Sequence, residues 1–394
     1  MDPFQKVPFY VLLQIVKSVQ DLPSLLHLLH ASPVVASLFH DCALEIFDAV
    51  VEKSIPSSIQ GLLYTVAYVR AGKTASHGLY DFISKIGSYC VHDRNQIPTS
   101  NAKQHPPSNI FRQMLMLSCH IQHLGYQCIH DMLQQCLTLK PSHLVDENSP
   151  KDPTGQECYF HPRPPHPLMQ PYQVHDSGPP SWVEVQRVYR ALWRLQLFLD
   201  VQKAASGDTK LNWPPDHVQK ILNMVPEIFW GPMEHSLLEE LKTVKGCVER
   251  LYPNWFKTQL PIYRGNICYN WPTLSLDNLV PQYSRLTPAA YLNYRSRGFS
   301  FIEELSRTSV LPYVGFSPFR RYGLVIWDRK RLMALELDRA IYNNVQDYSG
   351  IHTSITNLYY TWWSIMTDEG FHFWEEKVQM IRDRNLPYYI FAEI

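Results

Sequence analysis

The sequence lacks the features that mark many catalytic or membrane-bound chains at sight. No Gly-x-Ser-x-Gly elbow, no His-Glu-x-x-His pair and no Gly-x-Gly-x-x-Gly loop occurs in its 394 residues. It has no excess charge: Lys+Arg and Asp+Glu both total 36, so no overall field favours nucleic acid or an anionic membrane. No apolar run is long enough to span a bilayer, since Gln14 and Lys17 interrupt the best candidate. The N-terminus shows no basic region followed by an apolar core and a small-residue cleavage site. The eight cysteines are scattered and lack Cys-x-x-Cys pairing, so reduced thiols in the cytoplasm or nucleus are expected. No internal repeat of solenoid period appears. Neither a cofactor nor a metal is expected.

What is present is apolar and helical. Hydrophobic residues make up 45% and aromatics 13%, enough for a substantial core and against general disorder. The first fifty residues read as three short helices punctuated by proline. Pro8 opens Phe9 to Val16; Asp21 is an N-cap with Pro23 just inside; Ser32 is an N-cap with Pro33 behind it. A third helix then carries Val35, Leu38, Phe39, Ile46 and Val50. The aliphatic side chains outnumber what one face of so short a unit can hide. The surplus must be buried against the rest of the chain or against a partner.

The pattern of Pro8, Val11, Leu12, Ile15, Val19, Leu22, Leu25 and Leu28, followed by Ala31-Ser32-Pro33 and Phe39, resembles the F-box. The likeness is to the divergent form common in large families of filamentous fungi. Two positions depart from it: Phe9-Tyr10 replaces the usual polar-acidic pair, and the tryptophan expected near Val35 is absent. The resemblance implies docking on a Skp-type adaptor and, through it, on a cullin–RING ubiquitin ligase. Pro8, Val11, Leu12, Ile15, Leu22 and Leu25 would form the docking face, while Ser32 would cap the third helix. The remainder would recognise an unknown protein substrate without catalysing anything, and nucleic acid and membrane are not expected partners. An ordinary helical cap on a scaffold protein is the alternative, and an enzyme with a site within Tyr252 to Tyr322 is a third reading.

Along the chain, the expected fold is mainly α. An F-box-like unit (1–52) packs on an irregular helical, aromatic-rich domain, with a helical region (53–140) and a proline-rich connector (141–180) before the aromatic-rich domain (181–394). Ile59 to Val69 predicts a helix ending before Gly72, and Leu79 to Ile86 another. Ile110 to Leu139 predicts two helices divided at Gly125. Residues 140–180 hold ten of the thirty prolines, a density that excludes helix. Ser181 caps an amphipathic helix through Leu199, and a further helix starts near Glu234. Tyr322 to Trp327 reads as a short strand or buried turn, with Asp328 capping the helix that follows. Two helical patterns separated by Asp368-Glu369-Gly370 end the chain, their aromatics serving as core.

Four clusters invite a functional reading and are set aside. Ala67 to Thr74 (AYVRAGKT) ends like a phosphate loop but lacks its first glycine and follows a helix rather than a strand. Cys119, His120, His123, Cys128, His130 and Cys136 interleave with an apolar face and read as buried thiols and core histidines. Glu239-Glu240 and Glu303-Glu304 are expected to be exposed, solubilising charge. Arg320-Arg321 and Arg329-Lys330-Arg331 are expected to be solvated surface.

Overall fold

The computed structural model describes residues 2–74, 76–91, 106–144, 169–208, 211–231, 235–253, 314–335, 337 and 361–384. The protein is mainly α. Twelve helices are numbered among these residues: α1 Phe9–Lys17, α2 Leu22–Ala31, α3 Pro33–Ser54, α4 Ser57–Arg70, α5 Leu79–Val91 and α6 Ser108–Leu137. After a two-stranded ribbon come α7 Trp182–Lys203, α8 Pro215–Leu222, α9 Pro226–Phe229, α10 His235–Leu251, α11 Arg329–Ala334 and α12 Asp368–Arg384. The ribbon pairs β1 (Ser142–Leu144) antiparallel with β2 (Met169–Pro171).

The chain divides into two compact units, each discontinuous in sequence: Met1–Cys128 with Val185–Tyr294, and Ile129–Glu184 with Arg295–Ile394. The helices α8 to α10 and nearly all of α7 fall in the first unit with the N-terminal helices, whereas α11 and α12 fall in the second.

In the first unit, α1 and α2 pack on α3. The chain enters each helix as its sequence dictates. Asp21 accepts a hydrogen bond from the Ser24 amide at 2.7 Å, and Ser32 accepts one from the Val35 amide at 3.1 Å. Leu12, Leu13, Val16, Leu22, Leu25, Leu26, Leu29, Val35, Leu38 and Phe39 are all buried, each worth about 1.5–3 kcal/mol of transfer free energy. α3 bends at Cys42, whose φ of −122° and ψ of 30° interrupt the helix.

α6 runs unbroken through Gly125, where two helices were expected. One glycine costs a helix interior only about 1 kcal/mol, and buried Ile121, Leu124, Cys128 and Ile129 on either side hold it in register. α7 differs more. Val185, Val188, Leu192 and Leu195 are buried as an amphipathic helix requires, yet so are Arg187, Arg190, Arg194, Gln196 and Asp200. α8 and α9 have no counterpart in the sequence reading, being only 8 and 4 residues long and each opening on proline.

The second unit is built around tryptophan. Trp327, Trp362 and Trp363 are at most 1% exposed; Trp363 lies 5.2 Å from Trp374, and Phe319 the same distance from Trp362. Residues 317–327 form a 3₁₀ turn and further turns rather than a strand. The Trp327 indole donates to the Tyr322 carbonyl at 2.6 Å and contacts Cys136 Sγ at 3.2 Å. Asp328 caps α11 through the Arg331 amide at 3.2 Å. Asp368 and Glu369 lie in the first turn of α12, where acids complement the helix dipole, rather than between two helices.

Within the stretch expected to be a connector, Ser142 pairs with Pro171 and Leu144 with Met169. The proline-dense part, 145–168, lies outside the described residues.

Candidate docking surface

α1 sorts its side chains by position. Leu12, Leu13 and Val16 point into the three-helix core. Pro8, Val11 and Ile15 are spaced i, i+3 and i+7, which places them on one stripe of a helix. All three are exposed, Val11 by 50% and Ile15 by 40%. Beside them Phe9 is 48% and Tyr10 79% exposed, their rings meeting edge to face at 5.5 Å. Four large apolar side chains within one nine-residue helix are thus left in water, a concentration that marks an interaction surface more than a chance exposure.

The six residues nominated from sequence therefore fall into two sets. Pro8, Val11 and Ile15 lie on the surface. Leu12, Leu22 and Leu25 are 3%, 1% and 0% exposed and belong to the unit's own core. Phe9 and Tyr10, noted only as a departure from the F-box pattern, join the exposed set. Spacing gave no signal for that sorting: Phe9 shares a helix face with Leu12, Leu13 and Val16, at i+3, i+4 and i+7, and is exposed all the same. The far end of α1 is tied to α3 by Lys17, which pairs with Glu45 at 2.8 Å.

The other candidate sites resolve into structural roles. Gly72 has φ +66°; its amide donates to the Val69 carbonyl and the Lys73 amide to the Tyr68 carbonyl, both paired as in a Schellman cap. The Gly-Lys-Thr sequence thus closes the C-terminus of α4, where the dipole is negative and repels phosphate; a phosphate loop needs a helix N-terminus.

Among the described residues no group of three or more His, Cys, Asp and Glu is placed to hold a metal. In the Cys/His cluster, burial pushes the Cys119 and Cys136 thiols up to about 12. Burial, then His123, draws His120 down to about 4. These are protonated thiols and a neutral imidazole packed among apolar neighbours.

Two expectations of exposure are overturned. Glu239 and Glu240 are 2% and 1% exposed, and both oxygens of Glu240 accept from Arg190 Nη2 at 2.7 and 2.8 Å. Arg331 is likewise buried: its Nε and Nη2 donate to Glu184, and Nη2 also to the carbonyls of Gly178 and Pro179. Glu239 pairs with Lys242 three residues on at 3.0 Å, but Glu240 and Arg331 each meet an opposite charge remote in sequence, which the adjacent residues give no hint of. Glu303, Glu304 and most of Tyr252 to Tyr322 lie outside the described residues.

No helix among the described residues is long and apolar enough to cross a membrane. Comparison with protein-family models, with curated proteins and with solved structures returns no match.

Proposed function

We propose that the N-terminal three-helix unit is a docking module that joins the chain to a Skp-type adaptor and, through it, to a cullin–RING ubiquitin ligase. The rest of the chain recognises a protein substrate, and the chain itself catalyses no reaction. The observation that carries this reading is the apolar stripe of α1, Pro8, Val11 and Ile15 with Phe9 and Tyr10, exposed beside a core that is already full. Such a stripe gains affinity when a complementary groove removes it from water. The F-box-like order of prolines, caps and leucines supports the choice of adaptor.

The test is binding of purified protein to a Skp-type adaptor, wild type beside Val11→Asp/Ile15→Asp. Both positions are exposed, so the variant keeps its helical circular dichroism and loses the adaptor. A folded variant that binds as well as wild type refutes the surface. Leu12→Asp and Leu25→Asp are unsuitable, since a buried carboxylate at either site unfolds the unit.

A second reading, a helical scaffold with an F-box-like cap and no ligase, draws on the burial of Leu12, Leu22 and Leu25. On that reading wild type binds no adaptor, and Val11→Asp/Ile15→Asp changes no partner.

A further inference from the structure

Residues 2–7 precede the exposed stripe and are themselves folded. Two successive turns are closed by the Gln5 amide on the Asp2 carbonyl at 3.2 Å and the Val7 amide on the Phe4 carbonyl at 3.0 Å. Phe4 and Val7 are half-buried. The Asp2 carboxylate grips both ends of this arrangement. Its Oδ1 accepts from the Phe4 amide at 2.9 Å; its Oδ2 accepts from the Ser32 hydroxyl at 2.6 Å and from the Val34 amide at 3.2 Å.

Donor accounting at the start of α3 explains why an acid suits this place. The first turn of a helix leaves its N–H groups without intrahelical acceptors. Pro33 has none to leave, the Val35 amide is taken by Ser32 Oγ, and the Val34 amide is taken by Asp2. Ser32 uses its hydroxyl in both senses, donating to Asp2 and accepting from Val35. A carboxylate is also favoured by the positive end of the helix dipole.

We infer that residues 2–7 are a strap, latched by Asp2 to the capped start of α3, that fixes the first turn of α1 and so the presentation of Phe9, Tyr10 and Val11 to a partner. Asp2 is a positioning residue: it lies 30 positions from Ser32 in sequence and acts on the partner through the backbone it holds. The latch stands on its own contacts; only its consequence for docking rests on the adaptor reading.

Lys6 is exposed within the strap, so trypsin cleavage after it reports how often the strap opens. Asp2→Ala is the variant. It leaves Ser32 capping Val35, so α3 keeps its start and the circular dichroism is unchanged. The full chain is digested briefly with dilute trypsin, and the fragment ending at Lys6 is quantified by mass spectrometry. Cleavage rises by roughly tenfold or more, because it tracks the open population. Adaptor affinity, measured by calorimetry, weakens alongside it.

Equal cleavage of wild type and variant overturns the latch. Faster cleavage with unchanged adaptor affinity overturns the link to docking. If wild type binds no adaptor, faster cleavage of Asp2→Ala still establishes the strap, and the docking reading alone fails.

Discussion

The buried pair Arg190–Glu240 gives the sharpest test of the packing described for the first unit. Both side chains are nearly sealed, 4% and 1% exposed, and the two oxygens of Glu240 share one guanidinium nitrogen at 2.7 and 2.8 Å. Glu240→Gln keeps the shape but removes the negative charge that both Glu240 oxygens present to Arg190 in the interior. Breaking a buried pair in this way costs about 3–5 kcal/mol, a large share of the stability of an ordinary domain. Arg190→Met strands the carboxylate instead, with a comparable loss at neutral pH. The double variant Arg190→Met/Glu240→Leu regains most of the loss, because replacing both charges by apolar groups removes the desolvation penalty with them. Urea unfolding followed by circular dichroism measures all three. A Glu240→Gln loss under about 1 kcal/mol, the scale of an exposed pair, would refute the burial, as would a double variant that loses the sum of the singles.

Three further outcomes follow from other sites. His120 has its folded pKa drawn from 6.5 down to about 4, so between those values the unfolded state binds more protons and stability falls as pH drops. The decline amounts to roughly 3 kcal/mol at most, and His120→Gln flattens it in unfolding curves across that range. Gly323→Ala places a Cβ 2.8 Å from Met132 Sδ and 3.2 Å from the Trp327 ring at φ +65°, and lowers stability by about 2–3 kcal/mol. Gly72→Ala has a similar φ of +66° with open space around the new methyl, so it loses only the conformational part, roughly 1–2 kcal/mol; a loss as large as at Gly323 contradicts the cap geometry.

What the sequence made legible was local. The caps at Asp21, Ser32 and Asp328 each rest on a side-chain oxygen that accepts from the amide three residues on. Ser181 and Glu184 form a reciprocal capping box over the same span. Such bonds involve neighbours that are adjacent whatever the tertiary fold, which is why residue type and spacing suffice. What failed depended on distance. Glu240 meets Arg190 across 50 residues and Glu184 meets Arg331 across 147. Arginine at i, i+3 and i+7 along α7 reads as a solvent face because most such faces are. Arg190, one member of that row, is buried against Glu240 of α10, a partner no local pattern announces.

The docking surface shows the same boundary within a single helix. Composition alone said that the first fifty residues carry more aliphatic side chains than their own faces can hide, and the exposed stripe of α1 bears that surplus out. Which side chains are surplus was not decided by residue type, since Leu12 and Val11 are alike in hydrophobicity and adjacent in the chain. It was decided by the phase of α1 against α3, a tertiary quantity. Leu12 faces Val16 and the core; Val11 faces Ile15 and water. The consequence is practical as well as structural. A substitution at Leu12 reports on folding and one at Val11 on docking, so a single-position test placed by sequence pattern alone would have confounded the two.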